Sequence, residues 1–104
     1  MLPITVDTQS TFEHYKMTFK ALADEKRLHV LYILANSPED AICVCDLMDE
    51  MDLPQSKLSY HLKILLQANL INQSKKGTWS YYSLNPKEIN SVLSEELCCL
   101  FRKS

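Results

Sequence analysis

"LPQSKLSYHLKILLQANLI", residues 53–71, is the stretch on which the fold turns. Leu58, Leu62, Leu65 and Leu66 recur at the three- and four-residue spacing that lines one face of an α-helix. Gln55, Ser56, Lys57, Ser59, Tyr60 and Lys63 fall mostly off that stripe, so the helix turns hydrogen-bonding and basic groups outward. Pro54 fits the first turn, where its missing N–H has no intrahelical partner to lose. His61 sits between stripe and surface, where a packing or capping role is expected rather than a ligand contact.

Upstream, Val44, Leu47, Met48 and Met51 stand at i, i+3, i+4 and i+7 and predict a short helix, ended by "DLP" at residues 52–54. A helix capped by Asp24 carries Leu28, Leu31 and Leu34 and stops near "NSPED", since Pro38 forbids continuation. Residues 11–22 read as a first helix, with Phe12, Tyr15, Phe19 and Leu22 as its buried stripe. Downstream of residue 70 the period becomes alternating. "INQS" and "TWSYYSL" are rich in β-formers and flank "KKG", which holds the chain's only glycine, Gly77, so a hairpin is predicted there. Asn85, Pro86 and Glu88 then have the layout of a helix start, with Asn85 as N-cap. Ile89, Val92, Leu93, Leu97 and Leu100 give this terminal helix an apolar stripe.

Short helix, tight turn, second helix with a polar face, then a hairpin: this order predicts a mainly α protein with a small β-hairpin, a winged helix-turn-helix. The 104 residues suit one domain. Apolar stripes near both ends exceed what so small a core absorbs, which points to a homodimer joined through its terminal helices.

A net charge of −2 argues by itself against a strongly basic nucleic-acid binder. The distribution argues otherwise. Acids concentrate in residues 39–52 and at Glu95 and Glu96, whereas residues 53–87 contain none and carry Lys57, Lys63, Lys75 and Lys76. With the polar helix in a major groove, Ser56, Ser59 and Tyr60 reach bases or phosphates and Gln55 suits an adenine edge. Lys57 and Lys63 position the backbone, and Lys75 and Lys76 meet phosphates from the hairpin. A merely solvated lysine face is the competing reading.

No apolar run is long enough to span a bilayer, and the first residues lack the layout of a secretion signal, so a cytoplasmic protein without membrane contact is expected. In a reducing compartment Cys43, Cys45, Cys98 and Cys99 suggest metal binding, redox chemistry or burial rather than disulfides. Cys43 lies just before the third helix and Cys45 in its first turn, where the dipole favours a thiolate. Each is about 100° from Val44, so both are expected off the core. They lie about 200° apart on a helix, so one ion reaches both sulfurs only if this turn is non-helical or becomes so. Unwinding there would displace the following helix.

The segments "CVCDLMDEMDLPQSKLSYHLKILLQANLI" and "KKGTWSYYSL" resemble the ArsR/SmtB family of metalloregulatory repressors, specifically its arsenic-responsive branch, and the tail "LSEELCCLFRK" extends the likeness. The resemblance implies a homodimer that occupies its operator and leaves when arsenite or antimonite, As(III) or Sb(III), binds thiolates; it implies no other cofactor. Trivalent arsenic seeks about three soft sulfurs. The third cysteine of the best-known family pattern is Met48 here, which belongs to the core stripe. Cys98 or Cys99, from the same subunit or its partner, is then expected to complete the set, or each pair binds its own ion. The family's zinc site on the terminal helix needs histidines, and His14, His29 and His61 lie elsewhere.

A redox-sensing repressor, or one sensing Cd(II) or Pb(II), is the alternative for the same thiols. A thiol enzyme is not expected: no histidine neighbours either cysteine pair and C-x-x-C is absent. A pure interaction module would leave the polar helix face and basic hairpin unexplained.

Overall fold

The computed structural model describes residues 6–92. The order is α1 (Val6–Leu22), α2 (Glu25–Asn36), β1 (Ile42–Cys43), α3 (Val44–Met51), α4 (Gln55–Gln67), β2 (Ile71–Lys76), β3 (Trp79–Leu84) and α5 (Pro86–Val92). The mainly helical architecture with a hairpin is as the sequence predicts. The two-residue β1 is an addition. It pairs antiparallel with β3, Ile42 opposite Tyr82 and Cys43 opposite Tyr81, so the hairpin becomes a three-stranded sheet in the order β1-β3-β2.

The helix-turn-helix core forms from the expected leucines. Leu58, Leu62 and Leu65 of α4 pack fully buried with Val30 and Leu31 of α2 and Leu47 of α3. Met48 packs only partly buried against them, as its place in the stripe predicts. Asp52 closes α3 in the left-handed conformation (φ 51°), which an aspartate tolerates, and Pro54 occupies the N-cap of α4, one residue before the expected place. Only residues 52–54 separate the two helices.

α4 ends on Asn69 (φ 62°), with Asn69 N–H donating to the Leu66 carbonyl at 2.9 Å and Leu70 N–H to that of Leu65 at 3.1 Å. The Asn85 amide donates to the Asn69 carbonyl at 2.9 Å, and Asn85 N–H donates to Leu70 O at 2.9 Å. The base of the hairpin is thereby tied to the end of α4. Asn85 holds the expected N-cap position, its carbonyl accepting from Ile89 N–H at the start of α5, but its side chain serves this junction. At the other end Lys76 opposes Trp79, leaving a two-residue turn opened by Gly77 at φ +64°, a value that favours glycine.

The expected stripe of α1 is corrected. The helix is longer than predicted, and Phe12, Tyr15 and Phe19 stand exposed, Phe19 at 59%, while Thr18 and Ala21 face the core. α1 needs small residues where it meets α2 and α4. Its aromatic face is directed away from the described chain, with Tyr15 and Phe19 stacked at 6.0 Å between centroids. His14 Nε2 lies 2.8 Å from Glu88 Oε1, joining α1 to α5. Ile89 is fully buried; Leu93, Leu97 and Leu100 of the expected stripe lie outside the described residues.

The Asp24 carboxylate caps α2 as expected, accepting from Lys26 N–H at 2.8 Å and Arg27 N–H at 3.3 Å. Partial burial alone would push its pKa up. The two backbone hydrogen bonds and the nearby Arg27 and His61 together outweigh that and hold it below its ordinary value. A depressed folded-state pKa contributes stability above the unfolded value that disappears as pH falls through the folded one. Asp24→Ala should therefore cost about 1 kcal/mol at neutral pH. In urea melts the gap between variant and parent should shrink on acidification through that range; a gap constant with pH would contradict the assignment.

Candidate nucleic-acid interface and thiol site

α4 buries its leucines and leaves Gln55, Ser56, Lys57, Ser59, Tyr60 and Lys63 exposed, so one continuous helix face carries every polar side chain singled out from the sequence. Tyr60 is 60% exposed. Its ring meets His61 edge-on at 5.3 Å, and His61 is itself held from beneath. Arg27 Nη1 lies 3.1 Å from His61 Nδ1, which accepts its proton in the neutral ring. The same guanidinium donates through Nε to the Ala21 carbonyl at 2.8 Å and through Nη2 to the Lys20 carbonyl at 3.1 Å. His61 is thus a packing residue, as its position suggests. Arg27, 6% exposed, is the residue that fixes α4 against the ends of α1 and α2. Sequence reading missed it. An arginine in the first turn of a helix ordinarily points to solvent, and only the fold discloses the carbonyls of Lys20 and Ala21 at the end of α1 within its reach.

Lys75 and Lys76 are exposed on the last residues of β2. Lys76 Nζ lies 5.2 Å from the Tyr81 ring centroid, a cation–π distance that limits its wandering. Trp79, 54% exposed across the hairpin from Lys76, was not among the anticipated DNA-facing residues. Asn85 ties the base of the hairpin that carries the β2 lysines to the end of α4.

The thiols are arranged differently from the sequence expectation. Cys43 is not off the core: it is 7% exposed. Helical angles do not apply to it, because it ends β1 with an extended backbone (φ −63°, ψ 142°) and pairs with Tyr81. Cys45, half-buried in the first turn of α3, shares a side-chain hydrogen bond with Cys43. The strand-to-helix break therefore sets the two thiols beside each other.

The expected thiolate at Cys45 is also corrected. Its pKa is raised, first by the hydrogen bond with Cys43, then by burial and by the charges of Cys43 and Asp46; the backbone hydrogen bond lowers it by less. Both cysteines are free. Cys98 and Cys99 lie outside the described residues, and among the described residues no cluster of three or more His, Cys, Asp or Glu is set for a metal ion.

Beside Cys43 a groove of about 780 Å³ runs between α2, β1 and α3. His29, Tyr32 and Tyr81 supply aromatic walls, and Asp46, Asp49 and Glu50 an acidic edge. Sequence reading did not anticipate it, because it forms only when residues 29–50 fold back through β1 and Tyr81 of β3 closes one side.

No helix among the described residues is long and apolar enough to cross a membrane. Residues 24–73 match the family described as bacterial regulatory protein, arsR family. The chain is 61% identical over 89 residues to the arsenical resistance operon repressor of Bacillus subtilis, covering 86% of this chain and 83% of that one. It is 43% identical over 68 residues to the Escherichia coli protein of the same name, across 65% of this chain and 56% of the relative. Its fold is similar to a homodimeric winged helix-turn-helix DNA-binding domain from Mycobacterium bovis, with TM-score 0.71 and 22% identity over 97% of this chain and 83% of that one. With the helix-turn-helix, the wing and these likenesses in agreement, the chain belongs to the arsR family of DNA-binding transcriptional regulators.

Proposed function

We propose that the chain is a cytoplasmic, homodimeric repressor of an arsenic-resistance operon, released from its operator when trivalent arsenic or antimony engages Cys43 and Cys45. The observation that carries this is the pairing of two soft sulfurs at the β1–α3 junction, a helix and three residues away from the exposed polar face of α4. The 61% identity to the Bacillus subtilis arsenical resistance operon repressor supports the same reading.

α4 lies in the major groove, Gln55, Ser56, Ser59 and Tyr60 facing bases or phosphates, and Lys57 and Lys63 holding the backbone. Lys75 and Lys76 neutralise phosphates from the wing. The exposed Phe12 and Phe19 face of α1 supports a dimer in which the terminal helices cover each other, within a single 104-residue domain. Each thiol gives its proton to a hydroxyl leaving arsenic as water. The Cys43–Cys45 pair then shares one atom where it had shared a hydrogen bond. α3 is drawn toward β1, and α4 follows through the short turn. Cys98 or Cys99 is the candidate third sulfur. Oxidation sensing is less well supported: a raised Cys45 pKa leaves little of the thiolate that peroxide attacks.

Fluorescence anisotropy of the DNA upstream of the protein's own gene tests the proposal. Reduced protein should bind and arsenite should release it; binding untouched by arsenite would overturn the assignment. In the same assay Lys75→Ala with Lys76→Ala should weaken binding to all sequences and lower the salt slope by about 0.9 for each phosphate left without its lysine. An unaltered slope would remove the wing from the interface.

A further inference from the structure

We propose that Trp79 is a DNA-contacting residue: its indole lies along the deoxyriboses of one strand, beside the phosphate that Lys76 neutralises, and supplies uncharged affinity that the lysines of the wing do not. This rests on reading the chain as an operator-binding repressor and extends its interface to a residue that neither charge nor helical period points to.

The pairing of the hairpin carries the inference. Lys76 opposes Trp79 and Lys75 opposes Ser80. Successive residues of a strand point to opposite faces, so the two lysines leave the hairpin on opposite sides and Trp79 shares a face with Lys76 and Tyr81. On that face the Lys76 ammonium lies over the Tyr81 ring, 5.2 Å from its centroid and toward the base of the hairpin. Trp79, next to the turn, is left 54% exposed. The turn itself is slender. Gly77 has no side chain, and the space where a Cβ would stand holds no atom within 4 Å, so a strand of DNA can come close to the tip.

Chemistry decides what covers the ring. Residues 53–87 hold no acid, so the charged neighbours of Trp79 on the hairpin are Lys75 and Lys76, and their complement is a polyanion. A nucleic-acid strand offers the two things an indole uses, an apolar sugar face for the ring and a phosphate oxygen to accept from Nε1–H. The exposed Phe12 and Phe19 of α1 differ in this respect: they carry no polar atom and suit another apolar helix. A contact to sugar and phosphate is blind to base identity, so Trp79 strengthens binding to every sequence.

Trp79 is the only tryptophan of the chain, so the intrinsic emission of the full-length protein reports on this one ring. When the protein is titrated with DNA from upstream of its own gene, quenching of that emission by acrylamide should be largely lost as the complex forms. Trp79→Ala should weaken DNA affinity about tenfold, the scale of one aromatic ring stacked on a nucleotide. Its slope of log affinity against log salt should equal that of the parent, because no charge is removed, whereas Lys75→Ala with Lys76→Ala lowers the slope. Trp79→Phe keeps a ring and loses only the N–H, and should recover most of the affinity. Emission equally quenchable in free and bound protein, or a Trp79→Ala variant that binds as the parent does, would overturn the inference while DNA binding by the wild type still upheld the repressor reading. Sedimentation velocity of each variant belongs with the titration: weakened binding that accompanies loss of the dimer would also overturn the inference and assign the ring to a subunit contact. Wild-type protein that fails to bind the DNA would bring down both readings.

Discussion

Cys43→Ser should bind operator DNA as the parent does, yet require at least ~100-fold more arsenite for release, beyond the ~10–100-fold that losing an outer-shell partner of a metal ligand costs. Serine is nearly isosteric and keeps a hydroxyl within reach of Cys45, so the β1–β3 pairing of residue 43 with Tyr81 is preserved. Its oxygen is a hard donor, so the close sulfur pair at the β1–α3 junction is lost and Cys45 keeps no soft neighbour there. Cys43 is 7% exposed, so a thermal melt should accompany the titration to separate a folding defect from an effector defect. Met48→Leu is the contrasting variant: its side chain packs against the core, so both DNA binding and arsenite release should stay near the parent values. Undiminished arsenite release from Cys43→Ser would take Cys43 out of the switch.

The behaviour expected at Cys43 shows where sequence reading succeeds and where it stops. The leucine period of residues 58–66 and the alternation after residue 70 are local signals, and both elements form where those signals lie. The outward face of α4 follows from the same period. Cys43 could not be located that way. Its burial is set by a two-residue strand that exists only because β3, some forty residues later, is there to pair with it. The aromatic stripe of α1 misleads for a related reason: an apolar face is legible in sequence, but whether its partner is the same chain or another is not. Phe12 and Phe19 have the spacing of core residues and yet stand outside the described core. The groove is least legible of all, since His29, Cys43 and Tyr81 share no period and become neighbours only in the folded chain.

Arg27→Ala should have the largest effect on stability, because the guanidinium serves four groups from a position that is 6% exposed. It donates to the carbonyls of Ala21 and Lys20 at the end of α1, it holds His61 of α4, and it lies 3.9 Å from the Asp24 carboxylate that caps its own helix. The buried Ala21 carbonyl loses its donor, at about 1–3 kcal/mol for a buried group left unsatisfied, while the Lys20 carbonyl keeps the Ala23 N–H at 3.3 Å. A total near 3 kcal/mol corresponds to a fall in melting temperature of roughly 12–24 °C for a domain of this size. Arg27→Lys should recover little of it, since one ammonium cannot reach carbonyl, carbonyl and imidazole at the fixed angles of the guanidinium fork.

The DNA-binding consequence follows from His61. That ring supports Tyr60 edge-on, so an unanchored His61 frees both the α4 backbone and a side chain of its exposed face. His61→Ala alone should cost less, because Arg27 retains its two carbonyls. In a double-mutant cycle the coupling of residues 27 and 61 should fall in the ~0.5–3 kcal/mol range of side chains that touch. Operator affinity, measured at a temperature where every variant is folded, should drop for Arg27→Ala and His61→Ala alike. Destabilisation with unchanged affinity would make Arg27 a support of α1 and α2 alone and sever the structural route from the helix ends to the polar face of α4.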